Sequence, residues 1–198
     1  EGLTPDAWNL LPVNPWNPLP EGYTVNLAQV NANHAVDERC YEPLQQMLED
    51  CRAAGLSPVI CSSYRTQAVQ ERLFYTRVDN LVAQGYSQED AQTITARGTA
   101  RPGTSEHQLG LAVDLVDLNY QILDNNQENT PVQQWLMEHC WEYGFILRYP
   151  NEKSAVTGII YEPWHYRYVG REAAKEITES GLCLEEYLET LAQGNTVQ

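Results

Sequence analysis

Among its 198 residues the chain has no run of 18 apolar residues, no Cys-x-x-Cys pair, and only 12 lysines and arginines against 27 aspartates and glutamates. Each shortage excludes something. Without a long apolar run, no transmembrane helix is expected. Without paired cysteines at metal-binding spacing, a structural zinc site of the Cys-rich type is not expected. A formal net charge of −15 argues against holding nucleic acid or an anionic membrane face by bulk electrostatics, while leaving room for a local basic pocket. No N-terminal stretch reads as a signal peptide. The first residue is Glu, so an export signal or membrane anchor can lie upstream.

The length suits one sizeable core. Cys40, Cys51, Cys61, Cys140 and Cys183 are odd in number, so at least one is free or paired between chains. One or two disulfides and buried thiols acting as small hydrophobes are both compatible with this count. Cys61 has no histidine near it in sequence, which speaks against a thiol peptidase.

Two stretches carry the chemistry. The first is Thr104-Ser105-Glu106-His107-Gln108-Leu109-Gly110-Leu111-Ala112-Val113-Asp114-Leu115. Leu111 to Val116 reads as a buried strand, in which an aspartate is costly unless paired or metal-bound. On a straight strand His107 and Asp114 would be roughly 23 Å apart, too far to share an ion. Gly110 is where the chain can turn cheaply. The second stretch is Tyr161-Glu162-Pro163-Trp164-His165-Tyr166-Arg167-Tyr168-Val169. Glu162 and His165 would face opposite sides of a regular strand. Pro163 has no N–H to give a ladder, so the strand should begin near it, freeing Glu162 to swing toward His165. Two histidines and one aspartate make a three-ligand zinc set with an open position, the catalytic arrangement, and a nearby glutamate can serve as base.

The pattern Ser-x-His-x-x-Gly-x-Ala-x-Asp (Ser105, His107, Gly110, Ala112, Asp114), followed by Glu-x-Trp-His (Glu162, Trp164, His165), resembles the zinc D-alanyl-D-alanine carboxypeptidases. More narrowly it is similar to the vancomycin-resistance-type D,D-carboxypeptidases and the related L,D-carboxypeptidases of peptidoglycan, from about Leu11 to about Val169. The resemblance implies one zinc per chain on His107, Asp114 and His165, with Glu162 as catalytic base. It also implies substrate contacts from Arg65, Gln70, Ser105 and Tyr149. Arg65 offers the planar fork that grips a carboxylate, and Trp164 is expected to wall the pocket. Trp164-His165-Tyr166 departs from the His-x-His of lysostaphin-type endopeptidases, which favours an exopeptidase. A D,D- and an L,D-bond both stay open at this point, as do a crosslink-cutting endopeptidase and a non-catalytic wall-binding module. Glu162 speaks against the last, because a relict zinc site needs no base.

Along the chain, closely spaced prolines over residues 1–22 suggest an extended, polyproline-like arm, pinned by Leu10, Leu11, Val13 and Trp16. Residues 23–198 are read as a single peptidase domain. Tyr23–Val30, Pro58–Cys61, Phe145–Tyr149 and Glu162–Val169 read as strands. Asp37–Ala54, Thr66–Gln84, Ser87–Arg97, Pro131–Tyr143, Arg171–Glu179 and Leu184–Ala192 read as helices. Asn119–Thr130 and Asn151–Gly158 read as loops. His34 and His139 are expected to be structural. The fold expected is α+β: a small, mainly antiparallel sheet carrying the metal site, with helices on its outer face. The partners expected are peptidoglycan stem peptides, met outside the cytoplasm by a monomer.

Overall fold

Asp37 accepts a hydrogen bond from the Arg39 amide at 2.9 Å and so starts the first long helix of the structure, a computed structural model describing residues 3–194. This helix, α1, spans Glu38–Ala53 and turns Leu44, Met47, Leu48 and Cys51 to one buried side. Thr66 caps α2 (Gln67–Ala83) and Ser87 caps α3 (Gln88–Ala96) in the same way, each side chain taking an early amide of its helix. Pro131 opens α4 (Pro131–His139), where its missing N–H costs nothing.

Two short strands, β1 (Leu27–Gln29) and β2 (Ala35–Asp37), form a small hairpin sheet of their own. The strand expected over Tyr23–Val30 is shorter than that because Tyr23 donates to Pro20 in a turn and Asn26 accepts from Glu38 at the start of α1. The main sheet contains β3 (Pro58–Ser62), β4 (Ala112–Asp117), β5 (Phe145–Leu147) and β6 (His165–Tyr168), in the antiparallel order β3-β4-β6-β5.

Alternation along β4 divides the molecule. Val113 and Leu115 point one way and join Tyr166 in the main core with α1 and with Val132 and Leu136 of α4. Burying a Leu or Met side chain this fully contributes roughly 1.5–3 kcal/mol. Asp114 points the other way, as do His165 and Arg167 on β6. That face is covered by the N-terminal segment, by residues 98–110, and at its β5 edge by α6 (Arg171–Ser180) and α7 (Leu184–Ala192), which pack with Leu10 and Ile146. The architecture is α+β, with α1 and α4 behind the sheet and the polar site in front.

Several boundaries differ from expectation. The 131–143 helix breaks at His139 and continues as a tight 3-10 turn, Cys140–Tyr143, closed by Gly144 in the left-handed conformation. The 151–158 loop contains a short helix, α5 (Ser154–Thr157). β6 begins at His165, because Glu162 bonds the Tyr149 carbonyl and then accepts from the His165 amide, making a turn around Pro163. Leu10 and Val13 are fully buried, but Trp16 stays 62% exposed. The arm is also not uniformly extended, since Trp8–Leu10 forms a 3-10 turn. All five cysteines are free thiols.

Candidate metal centre

The sheet register sets the first pair of side chains. Asp114 on β4 lies directly across from His165 on β6, and cross-strand neighbours on one face are within reach of each other. His107 arrives from a different element. It sits in a 3-10 turn, Glu106–Leu109, which ends at Gly110 with φ +78°. A Cβ on Gly110 would stand 3.0 Å from the Asp37 nitrogen and 3.2 Å from Val25, so this reversal requires glycine for both conformation and space. The reversal folds His107 back over the strand that carries Asp114.

The three side chains are buried, and their potential ligand atoms lie within 4.8 Å of one another. His107 Nε2 is 3.3 Å from Asp114 Oδ2, and His165 Nδ1 is 3.0 Å from Asp114 Oδ1. The far ring nitrogens decide which atoms face inward. His107 Nδ1 is 2.9 Å from the Ser63 carbonyl, which can only accept, so Nδ1 carries the proton and Nε2 faces the carboxylate with its lone pair. His165 Nε2 is 2.7 Å from Glu106 Oε1. Burial alone would raise the Glu106 pKa, but Arg148 and Arg167 outweigh it and hold this carboxyl ionised, well below the usual range. His165 therefore donates from Nε2 and turns Nδ1 inward.

Asp114 Oδ1 is buried without a hydrogen-bond partner, since His165 Nδ1 is close to it but outside bonding geometry. A carboxylate oxygen left this way, with two imidazole nitrogens turned toward it, fits a cation between the three. Two nitrogens and one carboxylate oxygen are a donor set that suits zinc, with further positions open. In the metal-free chain, burial lowers the pKa of His165, but Asp114 and Glu106 outweigh it and push it up to about 10. A metal would have to displace that proton. Burial, with Arg65 adding to it, lowers the His107 pKa and favours the neutral ring.

The remaining side chains surround a cavity of about 200 Å³ whose lining includes Arg65, Ser105, Tyr149, Glu162 and Trp164. Glu162 Oε2 is 3.4 Å from His165 Nδ1, and burial pushes its pKa up to about 8. Arg65 donates to Ser62 Oγ at 3.0 Å and to Gln70 Oε1 at 3.2 Å, while its Nη2 stands 3.7 Å from Asp114 Oδ2. Gln70 departs from its expected place. It is fully buried behind Arg65, with its amide donated to the Ala100 carbonyl, and it does not line the cavity. Arg77 and Thr99, which the sequence did not single out, line the cavity and bond each other.

A family profile described as VanY, D-alanyl-D-alanine carboxypeptidase, matches residues 33–171, a span that holds every side chain of this centre. The chain belongs to this family. A D-alanyl-D-alanine carboxypeptidase of Enterococcus faecalis (strain ATCC 700802 / V583) is 43% identical over 183 residues, covering 92% of this chain and 66% of that protein. The chain thus spans just under two thirds of that relative's length. Two solved structures align more completely. A variant of the vancomycin-resistance D,D-pentapeptidase VanY from the VanB-type cassette, in complex with Zn(II), gives a TM-score of 0.83 at 43% identity over 92% of this chain and 99% of that one. VanYB in complex with D-alanine-D-alanine gives 0.85 at 43% identity over 93% and 99%.

Other residues weighed from sequence lie elsewhere in this D-alanyl-D-alanine carboxypeptidase fold. His34 bonds Ser63 Oγ at 2.9 Å, and His139 pairs with Glu142 at 3.1 Å. Cys61 is an exposed residue, but protein crowded around its sulfur, with the Asp114 charge adding to the effect, pushes the thiol up to about 12, so it is a poor nucleophile. The sequence reading overlooked Glu106, Arg167 and the Ser63 carbonyl. Glu106 lies inside the motif next to His107, and an acid beside a ligand histidine was the available signal.

Proposed function

We propose that this chain is a zinc-dependent D,D-carboxypeptidase that removes a C-terminal D-alanine from peptidoglycan stem peptides. One observation carries the reading: the buried His107–Asp114–His165 cluster, with its unpartnered Asp114 oxygen, opens on the same cavity as the Glu162 carboxyl and the Arg65 guanidinium. Zinc, when bound, would act as a Lewis acid on the scissile carbonyl and make water a better nucleophile. Glu162 takes a proton from the attacking water and returns it to the leaving amine. Its raised pKa keeps it able to do both near neutral pH. Arg65 faces the terminal carboxylate of the substrate, held in aim by Ser62 and Gln70, so Gln70 acts through Arg65. Ser105 and Tyr149 flank the bound peptide, and Trp164 closes one wall.

A peptidoglycan substrate supports action outside the cytoplasm. Among the described residues no helix is long and apolar enough to cross a membrane. The test is incubation of the zinc-loaded protein with defined tetrapeptide and pentapeptide stems, followed by mass measurement. Loss of one D-alanine from the pentapeptide is expected. Cleavage of the tetrapeptide alone would move the assignment to an L,D-carboxypeptidase, and cleavage of neither would remove it.

A further inference from the structure

Glu106 is next to His107 in sequence, but its side chain serves the other histidine. The carboxylate is completely enclosed and makes three contacts: His165 Nε2 at 2.7 Å, Arg148 Nε at 2.8 Å and Arg167 Nη1 at 3.1 Å. Both guanidiniums are held from behind. Arg148 forks onto Glu185 of α7 at 2.7 and 2.6 Å. Arg167 Nη2 reaches the carbonyls of Asn9 and Leu11 in the N-terminal arm, both at 3.0 Å. Two carboxylates face two guanidiniums here, so Glu106 stays ionised and accepts from the ring nitrogen that faces it. That contact takes up Nε2, which leaves Nδ1 as the nitrogen turned toward Asp114 and available to ligate.

We propose that Glu106 is a positioning residue for His165, and that the Arg148–Arg167 clamp makes metal affinity depend on the N-terminal arm and on α7, neither of which reaches the cavity. The inference rests on reading His165 as a zinc ligand. A partner on the far nitrogen fixes ring orientation and raises ligand basicity, and loss of such a partner typically costs about 10- to 100-fold in metal affinity. Glue for the fold alone would not show in metal affinity once folding is intact.

The experiment uses the whole chain, native and Glu106→Gln, and measures zinc affinity by competition with a chromophoric chelator, alongside kcat and KM on the zinc-saturated proteins. The variant is expected to bind zinc about 10- to 100-fold more weakly, with KM nearly unchanged. A folded variant with native zinc affinity would overturn the inference while leaving the zinc reading intact. A native chain that binds no zinc would overturn both. If Glu106→Gln does not fold, the zinc-loaded native protein decides by nitrogen-correlated proton NMR. A slowly exchanging, strongly downfield His165 Nε2 proton supports the inference, and one that exchanges as freely as a surface imidazole proton overturns it.

Discussion

Arg65 and Gln70 are joined by a 3.2 Å hydrogen bond that leaves one edge of the guanidinium facing the cavity beside Asp114. An exopeptidase must sense a free C-terminus, and a preset arginine does so through both charge and shape. Lysine keeps the charge but loses the fork. Arg65→Lys is expected to weaken cleavage of stems with a free terminal carboxylate markedly, as loss of a buried charge-assisted contact can cost roughly 2–5 kcal/mol. Amidating the substrate should slow the native enzyme by a similar factor and add little to the loss in the variant. The double cycle of two enzymes against two peptides measures this. Independent, additive losses would show that Arg65 does not read the terminus.

Glu162 lies beside the proposed metal position without being needed to hold the ion. Glu162→Ala is therefore expected to retain zinc and to lose about 10²- to 10⁴-fold in turnover, the usual contribution of general acid–base catalysis. Elemental analysis and kcat on the same sample check both halves. A variant that loses zinc but regains activity with added metal would make Glu162 a ligand.

Much of this centre was legible because the chemistry is written in short motifs. Spacing alone kept His107 and Asp114 apart, and Gly110 marked where the chain could turn cheaply between them. The structure uses that turn. The partner of His165 was not legible, because Glu106 stands next to His107 and nothing in the spacing ties it to the other histidine. The 3-10 turn sends neighbouring side chains in different directions, and only the fold brings Glu106 to a residue 59 positions away. Gln70, named from the family resemblance, was harder to place: a polar residue early in α2, five positions after Arg65, can face a substrate or stand behind the arginine, and the spacing does not distinguish these. The core was easier. Leu44, Met47 and Leu48 on α1 and Val132 and Leu136 on α4 recur with a helical period and occupy the core. Trp16 shows the limit of composition, since an aromatic in a proline-rich arm is as easily left in solvent.

Metal affinity should depend on pH with a sign fixed by His165. Its pKa in the metal-free fold is raised to about 10, above the ordinary value of 6.5. Proton binding therefore stabilises the metal-free fold fully below pH 6.5, and that contribution is lost as pH rises toward 10. Zinc needs the deprotonated ring. Zinc affinity is thus expected to rise between pH 6.5 and 9, and the Tm gap between zinc-loaded and chelator-stripped protein should widen over the same range. Calorimetry in buffers of different ionisation enthalpy should detect proton release on zinc binding at pH 7.5. A flat Tm gap with no proton release would contradict the assignment of His165.

Leu10 of the N-terminal arm is fully buried among Ile146, Val169 and the residues of α6 and α7. Leu10→Ala is expected to cost about 2–5 kcal/mol of stability, the range for emptying a well-packed leucine site. Denaturant unfolding of the zinc-loaded protein measures it, and a loss below about 1 kcal/mol would mean that the arm contributes little to the fold.

The most direct test of the metal centre is anomalous diffraction at the zinc edge from crystals of the native chain. One site per chain is predicted, with His107 Nε2, His165 Nδ1 and an Asp114 oxygen each at about 2.0–2.2 Å. No zinc peak between these three side chains in zinc-loaded crystals, or a peak held by other residues, would contradict it.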